Sequence, residues 1–153
     1  MTSPAEHMSE ALSLARKGLL TTRPNPMVGC VITHNEKIIG RGWHEKSGDN
    51  HAEINAIHDV LKNLGSNAES ALENSEMYVT LEPCMMCAGA IIHARISRLV
   101  YATSDEKTGF INSRNNLDEN EWLNHKLDIS SGVLDRECSK LIKNFFKDKR
   151  SKY

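Results

Sequence analysis

The sequence has no long apolar run, and this absence excludes an integral membrane protein built on helices. No stretch approaches the roughly 18 consecutive apolar residues that a membrane-spanning helix needs. The first residues also lack the charged-then-apolar pattern of a secretory signal. Cysteine is scarce: two of the four lie at metal-ligand spacing and two stand alone, which argues against the disulfide framework of a secreted protein. The predicted location is a reducing cytoplasm.

An excess of charge of one sign is also missing. The 19 basic and 20 acidic side chains give a formal net charge of −1, which provides no overall attraction to nucleic acid or to a membrane surface. One local basic cluster near the end of the chain comprises Lys140, Lys143, Lys147, Lys149, Arg150 and Lys152. It fits a solvated helix face with cations at the helix C-terminus, or a patch that contacts phosphates.

The length of 153 residues predicts a single domain covering positions 1–153. Hydrophobic periodicity predicts helices that begin near Ser3 and at about 51–64, 84–95 and 133–148. Strands are predicted at 28–33, 38–43, 77–81, 98–103 and 126–131, whereas 66–75 reads as a connector and 104–126 as a long polar loop. Residues 77–103 then form a parallel strand–helix–strand unit, so helices should pack on a mixed sheet.

Two cysteines and one histidine form the most informative constellation. Cys84 and Cys87 are three positions apart at a predicted helix start, and His51 opens an earlier helix. Thiolate and imidazole are ligands that zinc favours, and both helix N-termini direct positive partial charge at the site. Three ligands leave a coordination position for water, which is typical of a catalytic site. A closed structural site would need Cys30 or Cys138, and neither has a partner at ligand spacing.

Glu53 follows His51 by two positions, close to the predicted metal but not at a ligand position. A carboxylate placed there can take a proton from a zinc-activated water and deliver it to a substrate. The alternative is a structural role, in which Glu53 closes a capping box on a helix capped by Asn50. The cysteine pair favours the catalytic interpretation.

The stretch His51-Ala52-Glu53, with Glu82-Pro83-Cys84-Met85-Met86-Cys87, matches the signature of zinc deaminases that act on nucleobases. The chain thus resembles the cytidine-deaminase-like superfamily. This resemblance implies an α/β fold, a three-layer αβα sandwich with a mixed five-stranded sheet, and one Zn2+ per chain. We expect a single zinc-dependent deaminase domain.

The two halves of the chain resemble different members of this superfamily. Residues 78–96, 105–109, 124–125 and 145–147 look like the bacterial tRNA adenosine deaminases, which convert the wobble adenosine to inosine. Residues 22–32 and 42–48 are similar to the deaminase domain of riboflavin biosynthesis. The tRNA enzymes usually have Asn where this chain has His44. The riboflavin enzymes have a longer segment between the zinc cysteines, with Ser-His and Arg-Thr-Pro-Pro, which is absent here.

The resemblance implies substrate contacts by Asn25, His44 and the loop that starts at Asp105. Asn25 could instead be a turn residue between prolines, and His44 a surface loop histidine. For Met85 and Met86 the default expectation is core packing, and the alternatives are a pocket wall or a dimer face. By analogy with the family, a homodimer is expected.

Three functions follow from these observations. The leading one is a zinc-dependent hydrolytic deaminase of the wobble adenosine in a tRNA anticodon loop, where the base is already accessible. The alternative enzyme is a deaminase of a free nucleobase, a nucleoside or a riboflavin-precursor pyrimidine. The third is an inactive zinc-containing binding module, although Glu53 is in place and the predicted water position is not filled by a fourth ligand.

Overall fold

The computed structural model describes residues 3–19, 21–22, 24–120, 123 and 125–151, without the side chains of 118 and 147–151. Asn124 and Lys152 therefore lie outside the described residues, as do the side chains of Lys147, Lys149 and Arg150. Within the described part, no helix is both long and apolar enough to cross a membrane.

Five strands form one sheet at the centre of the molecule: β1 (Gly29–His34), β2 (Lys37–Trp43), β3 (Ser75–Leu81), β4 (Arg98–Thr103) and β5 (Asp128–Ser131). Their order across the sheet is β2-β1-β3-β4-β5. β1 is antiparallel to both β2 and β3, whereas β3, β4 and β5 run parallel. The predicted mixed five-stranded sheet is confirmed.

Helices cover both faces of this sheet: α1 (Pro4–Ala15), α2 (Ala52–Leu64), α3 (Ala68–Glu73), α4 (Met85–His93) and α5 (Asp135–Ser151). On one face, Met8 of α1 and Cys138 of α5 pack with Tyr78 of the sheet. On the other face, Val60 of α2 and Ile91 of α4 pack with buried residues of the same strands. The structure therefore has the expected three-layer αβα arrangement.

The prediction of a connector at 66–75 is wrong, because Ala68–Glu73 forms the helix α3. Ala68, Ala71 and Leu72 are buried and hold this short helix against the protein. A helix of six residues spans fewer than two turns, so it shows too little periodicity for a prediction from sequence.

Two glycines of β2 let α2 approach the sheet closely. A Cβ atom on Gly42 would lie 2.4 Å from both the carbonyl oxygen of Ala52 and the amide nitrogen of Ala56. One on Gly40 would lie 2.4 Å from Cγ2 of Val60. Because the first turn of α2 rests directly on β2, the position of His51 and Glu53 is fixed by backbone packing.

Candidate active site

The three predicted metal ligands lie together. The Nδ1 atom of His51 is 3.7 Å from Sγ of Cys84 and 3.5 Å from Sγ of Cys87. All three ligand atoms lie within 4.8 Å of one another, so this group could hold a metal ion. One imidazole nitrogen and two sulfur atoms form a donor set that zinc prefers.

Two of these ligands are the N-cap residues of helices. His51 precedes α2 and Cys84 precedes α4, each with an extended backbone and no side-chain capping bond. Their side chains are therefore not used by the helix and can face the metal site. The positive ends of both helix dipoles point at the same place, which favours thiolate ligands.

Hydrogen bonding between the two thiols makes their pKa values diverge. The pKa of Cys84 is lowered to about 5, chiefly because the Cys87 thiol donates to it, with the Cys87 backbone N–H and His51 adding to the effect. The pKa of Cys87 is raised, because its proton is held against Cys84 and because the side chain is buried. Zinc needs both sulfurs deprotonated, so metal binding would release the Cys87 proton.

The alternative of a closed site with four protein ligands gains no support from the described residues. Neither Cys30 nor Cys138 belongs to the metal-ligand group. Both thiols are buried, and burial raises the pKa of Cys30 and the pKa of Cys138, the latter to about 12. They act as apolar packing residues in opposite layers of the core. The described residues therefore offer three ligands, and a metal held by them would have a position open to water.

Glu53 is buried beside the ligands, with 4% of its surface exposed. Burial raises the pKa of this carboxyl to about 7. The hydrogen bond from the backbone N–H of Glu53 lowers the pKa in part, and negative charge on Cys84 raises it further. A group with this pKa can take up and release a proton near neutral pH. The capping-box alternative is wrong, because the N-cap of α2 is His51 and not Asn50.

The ligands open into a cleft of about 720 Å³. All three predicted substrate contacts line this cleft: Asn25, His44 and Asp105. The ligands His51 and Cys84 and the carboxyl of Glu53 line it too. Asn25 is exposed, and its side-chain amide lies 3.5 Å from the Ser47 hydroxyl. The cleft is larger than a single nucleobase requires and falls within the range of about 300–1,000 Å³ that is typical of ligand pockets.

His44 is buried at the wall of this cleft, 4% exposed, and is not the surface histidine of the alternative interpretation. Its Nδ1 atom is 3.2 Å from the carbonyl oxygen of Asn50, which requires Nδ1 to donate. Its Nε2 atom is buried and has no hydrogen-bond partner among the described residues. The ring meets that of His51 edge-on, with 5.6 Å between centroids.

Of the wall that α5 contributes to the cleft, sequence reasoning identified only Lys143, as part of the basic cluster. Ser139, Ile142, Lys143 and Phe146 of α5 line the cleft. Ile142 carried a signal only for core packing, because helical periodicity cannot tell a pocket wall from a core face.

Met85 and Met86 were expected in the core, and that prediction is wrong: they are 66% and 58% exposed on α4.

Glu82 belongs to the sequence motif but was given no role, although a charged residue directly after an apolar strand was a visible signal. Burial alone would raise the pKa of Glu82, but hydrogen bonds from Ser113 and from the backbone N–H groups of Asn112, Ser113 and Asp105 outweigh it and lower the pKa. The carboxylate is therefore a buried anion next to the metal site.

Residues 1–103 match the zinc-binding region of the cytidine and deoxycytidylate deaminases, and the chain belongs to this family. A tRNA-specific adenosine deaminase of Haemophilus influenzae is 45% identical over 128 residues, covering 80% of this chain and 72% of the relative. The family and the site together define a zinc-binding hydrolytic deaminase.

Solved structures extend the comparison to the whole fold. A protein from a study of A-to-I editing by tRNA:A34 deaminases at the wobble position of transfer RNA is 33% identical, with a TM-score of 0.74 over 88% of this chain and 97% of that chain. A diaminohydroxyphosphoribosylaminopyrimidine deaminase/reductase of Thermotoga maritima is 32% identical, with a TM-score of 0.77 over 97% of this chain. The chain spans only 42% of the length of that second protein.

Proposed function

We propose that this deaminase converts the wobble adenosine of a tRNA to inosine, with His51, Cys84 and Cys87 as zinc ligands and Glu53 as the proton-transfer group. The observation that carries the proposal is the cleft, in which the ligand group and a buried carboxyl with a near-neutral pKa face one open space. Zinc bound there would supply an activated water for attack on the carbon that bears the amino group. Glu53 would move one proton from that water to the ring nitrogen, and then the second proton, from the hydroxyl group added to the ring carbon, to the amino group, which leaves as ammonia while the carbonyl forms.

The tRNA substrate is supported by the second half of the chain. The loop from Asp105 to Thr108 and the helix α5 form the cleft wall, and the exposed cations Lys107 and Lys143 stand on this wall. Cations at the rim of a base-binding cleft can neutralise the phosphates next to the reacting nucleotide. In this proposal Asn25, His44 and Asp105 contact the substrate. The Haemophilus relative and the wobble-editing structure agree with this choice.

A riboflavin-precursor pyrimidine is the second candidate substrate, and His44 favours it. His44 lines the cleft at a position where the tRNA enzymes usually have Asn, and residues 42–48 are similar to the deaminase domain of riboflavin biosynthesis. The Thermotoga structure agrees with this alternative.

One assay separates the two candidates. The zinc-loaded protein is incubated with a tRNA that carries adenosine at the wobble position, with the same tRNA carrying guanosine there, and with free adenosine, cytosine, guanine and the riboflavin precursor. We expect inosine and ammonia from the first tRNA only. A result without inosine, but with ammonia from the riboflavin precursor, contradicts the proposal and establishes the second candidate.

We further propose a homodimer located in the cytoplasm. Met85 and Met86 form an exposed apolar pair at the start of α4, next to Cys84, and a second chain packed there would cover them. All four cysteines are free thiols, as expected in a reducing compartment. Sedimentation as a monomer at micromolar concentration contradicts the dimer.

A further inference from the structure

A buried carboxylate, Glu82, binds a loop of the cleft and has no part in the chemistry described above. It lies between the end of β3 and the ligand Cys84, with 3% of its surface exposed. Its Oε1 atom accepts from the backbone N–H of Asp105 at 3.1 Å and from the Ser113 hydroxyl. Its Oε2 atom accepts from three consecutive N–H groups, those of Ile111 at 3.1 Å, Asn112 at 2.8 Å and Ser113 at 3.0 Å.

Each of these partners donates to Glu82, and four of the five are backbone N–H groups that can only donate. A carboxylate, which accepts at both oxygens, satisfies all of them. A glutamine of the same shape would have to turn its NH2 group toward one or more N–H groups and leave them unpaired in a buried place. The site therefore requires the carboxylate group itself.

The loop closes tightly around this carboxylate. A Cβ atom on Gly109 would lie 2.4 Å from Cδ of Glu82 and 2.5 Å from the carbonyl oxygen of Asp105. The N–H of Phe110 donates to the carbonyl oxygen of Pro83 at 2.9 Å, and Gly109 forms an isolated β-bridge with Cys84. The segment 105–113 is thus fixed at both ends by Glu82 and in the middle by its neighbours.

The first four residues of this segment face the cleft. Asp105, Glu106, Lys107 and Thr108 all line the cleft. Oδ1 of Asp105 accepts from the N–H groups of Lys107 and Thr108 at 3.1 and 3.2 Å, and Oδ2 accepts from the Thr108 hydroxyl at 2.6 Å. The turn around Asp105 is locally stable, and Glu82 determines where the whole turn is placed.

We propose that Glu82 is a positioning residue, whose carboxylate holds segment 105–113 in the shape that forms one wall of the substrate cleft. Glu82 then controls how tightly the substrate is bound, while Glu53 and the metal ligands carry the chemical step. This inference rests on the proposed function only in assuming that the substrate binds in this cleft.

The test compares Glu82→Gln with Glu76→Gln, a matched change on the same strand. Glu76 also bears a partly buried, hydrogen-bonded carboxylate, with Tyr78 and Arg98 as partners, but it lies at the other end of β3. The measurements are KM and kcat for the substrate that the parent protein converts, zinc content, and hydrogen exchange of the backbone amides.

We expect Glu82→Gln to raise KM about tenfold or more, the loss expected when buried donors lose a charged acceptor. The value of kcat should stay within about threefold and the zinc content should be unchanged. The amides that face the new NH2 group, either Asp105 or the trio Ile111, Asn112 and Ser113, should exchange faster, because an amide nitrogen cannot accept their hydrogen bonds. Glu76→Gln should leave KM, zinc content and these four amides as in the parent.

The proposal is overturned if none of the four amides exchanges faster. It is also overturned if zinc is lost while KM stays unchanged, because that result assigns Glu82 to the support of Cys84. Should Glu82→Gln not fold, Ser113→Ala removes one donor and leaves the carboxylate in place. It should raise KM in the same direction by a smaller factor, and an unchanged KM contradicts the inference. If the parent converts no tRNA, the proposed function fails, but hydrogen exchange still decides the role of Glu82.

Discussion

His51 and Glu53 show which kind of residue cluster can be predicted from sequence. Their spacing of two, followed by the Cys84–Cys87 pair, is a short-range pattern, and the structure brings the three ligands together with Glu53 beside them. Glu82 could not be identified in the same way, because four of its five hydrogen-bond donors are backbone N–H groups, which leave no pattern of residue types in the sequence. A carboxylate that is satisfied by distant backbone groups has no recognisable spacing.

At this scale, Glu53→Gln should retain zinc and lose turnover. The amide cannot take up and release a proton, and general acid–base catalysis is worth about 10²- to 10⁴-fold in rate. The measurements are kcat and zinc content of the purified variant. Cys87→Ser is the contrasting change and should lose zinc as well as activity, whereas Glu45→Gln, on an exposed loop residue, should change neither. Turnover retained by Glu53→Gln rules out the assigned role.

The elements follow the sequence closely where periodicity is long or the chain turns sharply. The β1–β2 hairpin turns at Asn35 and Glu36, with φ of 51° and 68°, the positive values of a type I′ turn. β4 has the predicted limits, and β5 is two residues shorter at its start. The helix α3 was missed because it is short. The apolar residues of the wall formed by α5 were missed because their place in the cleft depends on how α5 crosses the sheet.

The contact between α2 and β2 supports a prediction about stability. Gly42→Ala would place a methyl group 2.4 Å from backbone atoms of Ala52 and Ala56, which cannot move as a flexible side chain would. We expect the free energy of unfolding to fall by about 1–3 kcal/mol, as for other overpacked sites. A urea titration measures this change. The neighbouring Arg41→Ala removes an exposed ion pair with Glu10 and should cost less than about 1 kcal/mol. Equal stabilities of the two variants contradict this packing argument.

The whole molecule joins two halves that resemble different enzymes, which is why the sequence alone left the substrate open. The structure places residues from both halves around the same cleft: Asn25 and His44 come from the first half, and Asp105 and Lys143 from the second. The chemistry is therefore common to both candidates. The choice of substrate depends on whether the cleft rim also binds the phosphates of a nucleic acid.

This dependence can be measured through salt. If a tRNA is bound, its affinity should fall steeply as salt rises, because each phosphate contact releases counterions. Lys143→Gln, on the cleft wall, should weaken binding and reduce the slope of log K against log[salt] by about 1. Lys62→Gln removes an exposed cation from the far end of α2 and should leave the slope unchanged. Since the net charge of the whole chain is only −1, a steep slope must come from such local cations. A flat salt response of the parent protein favours the small substrate.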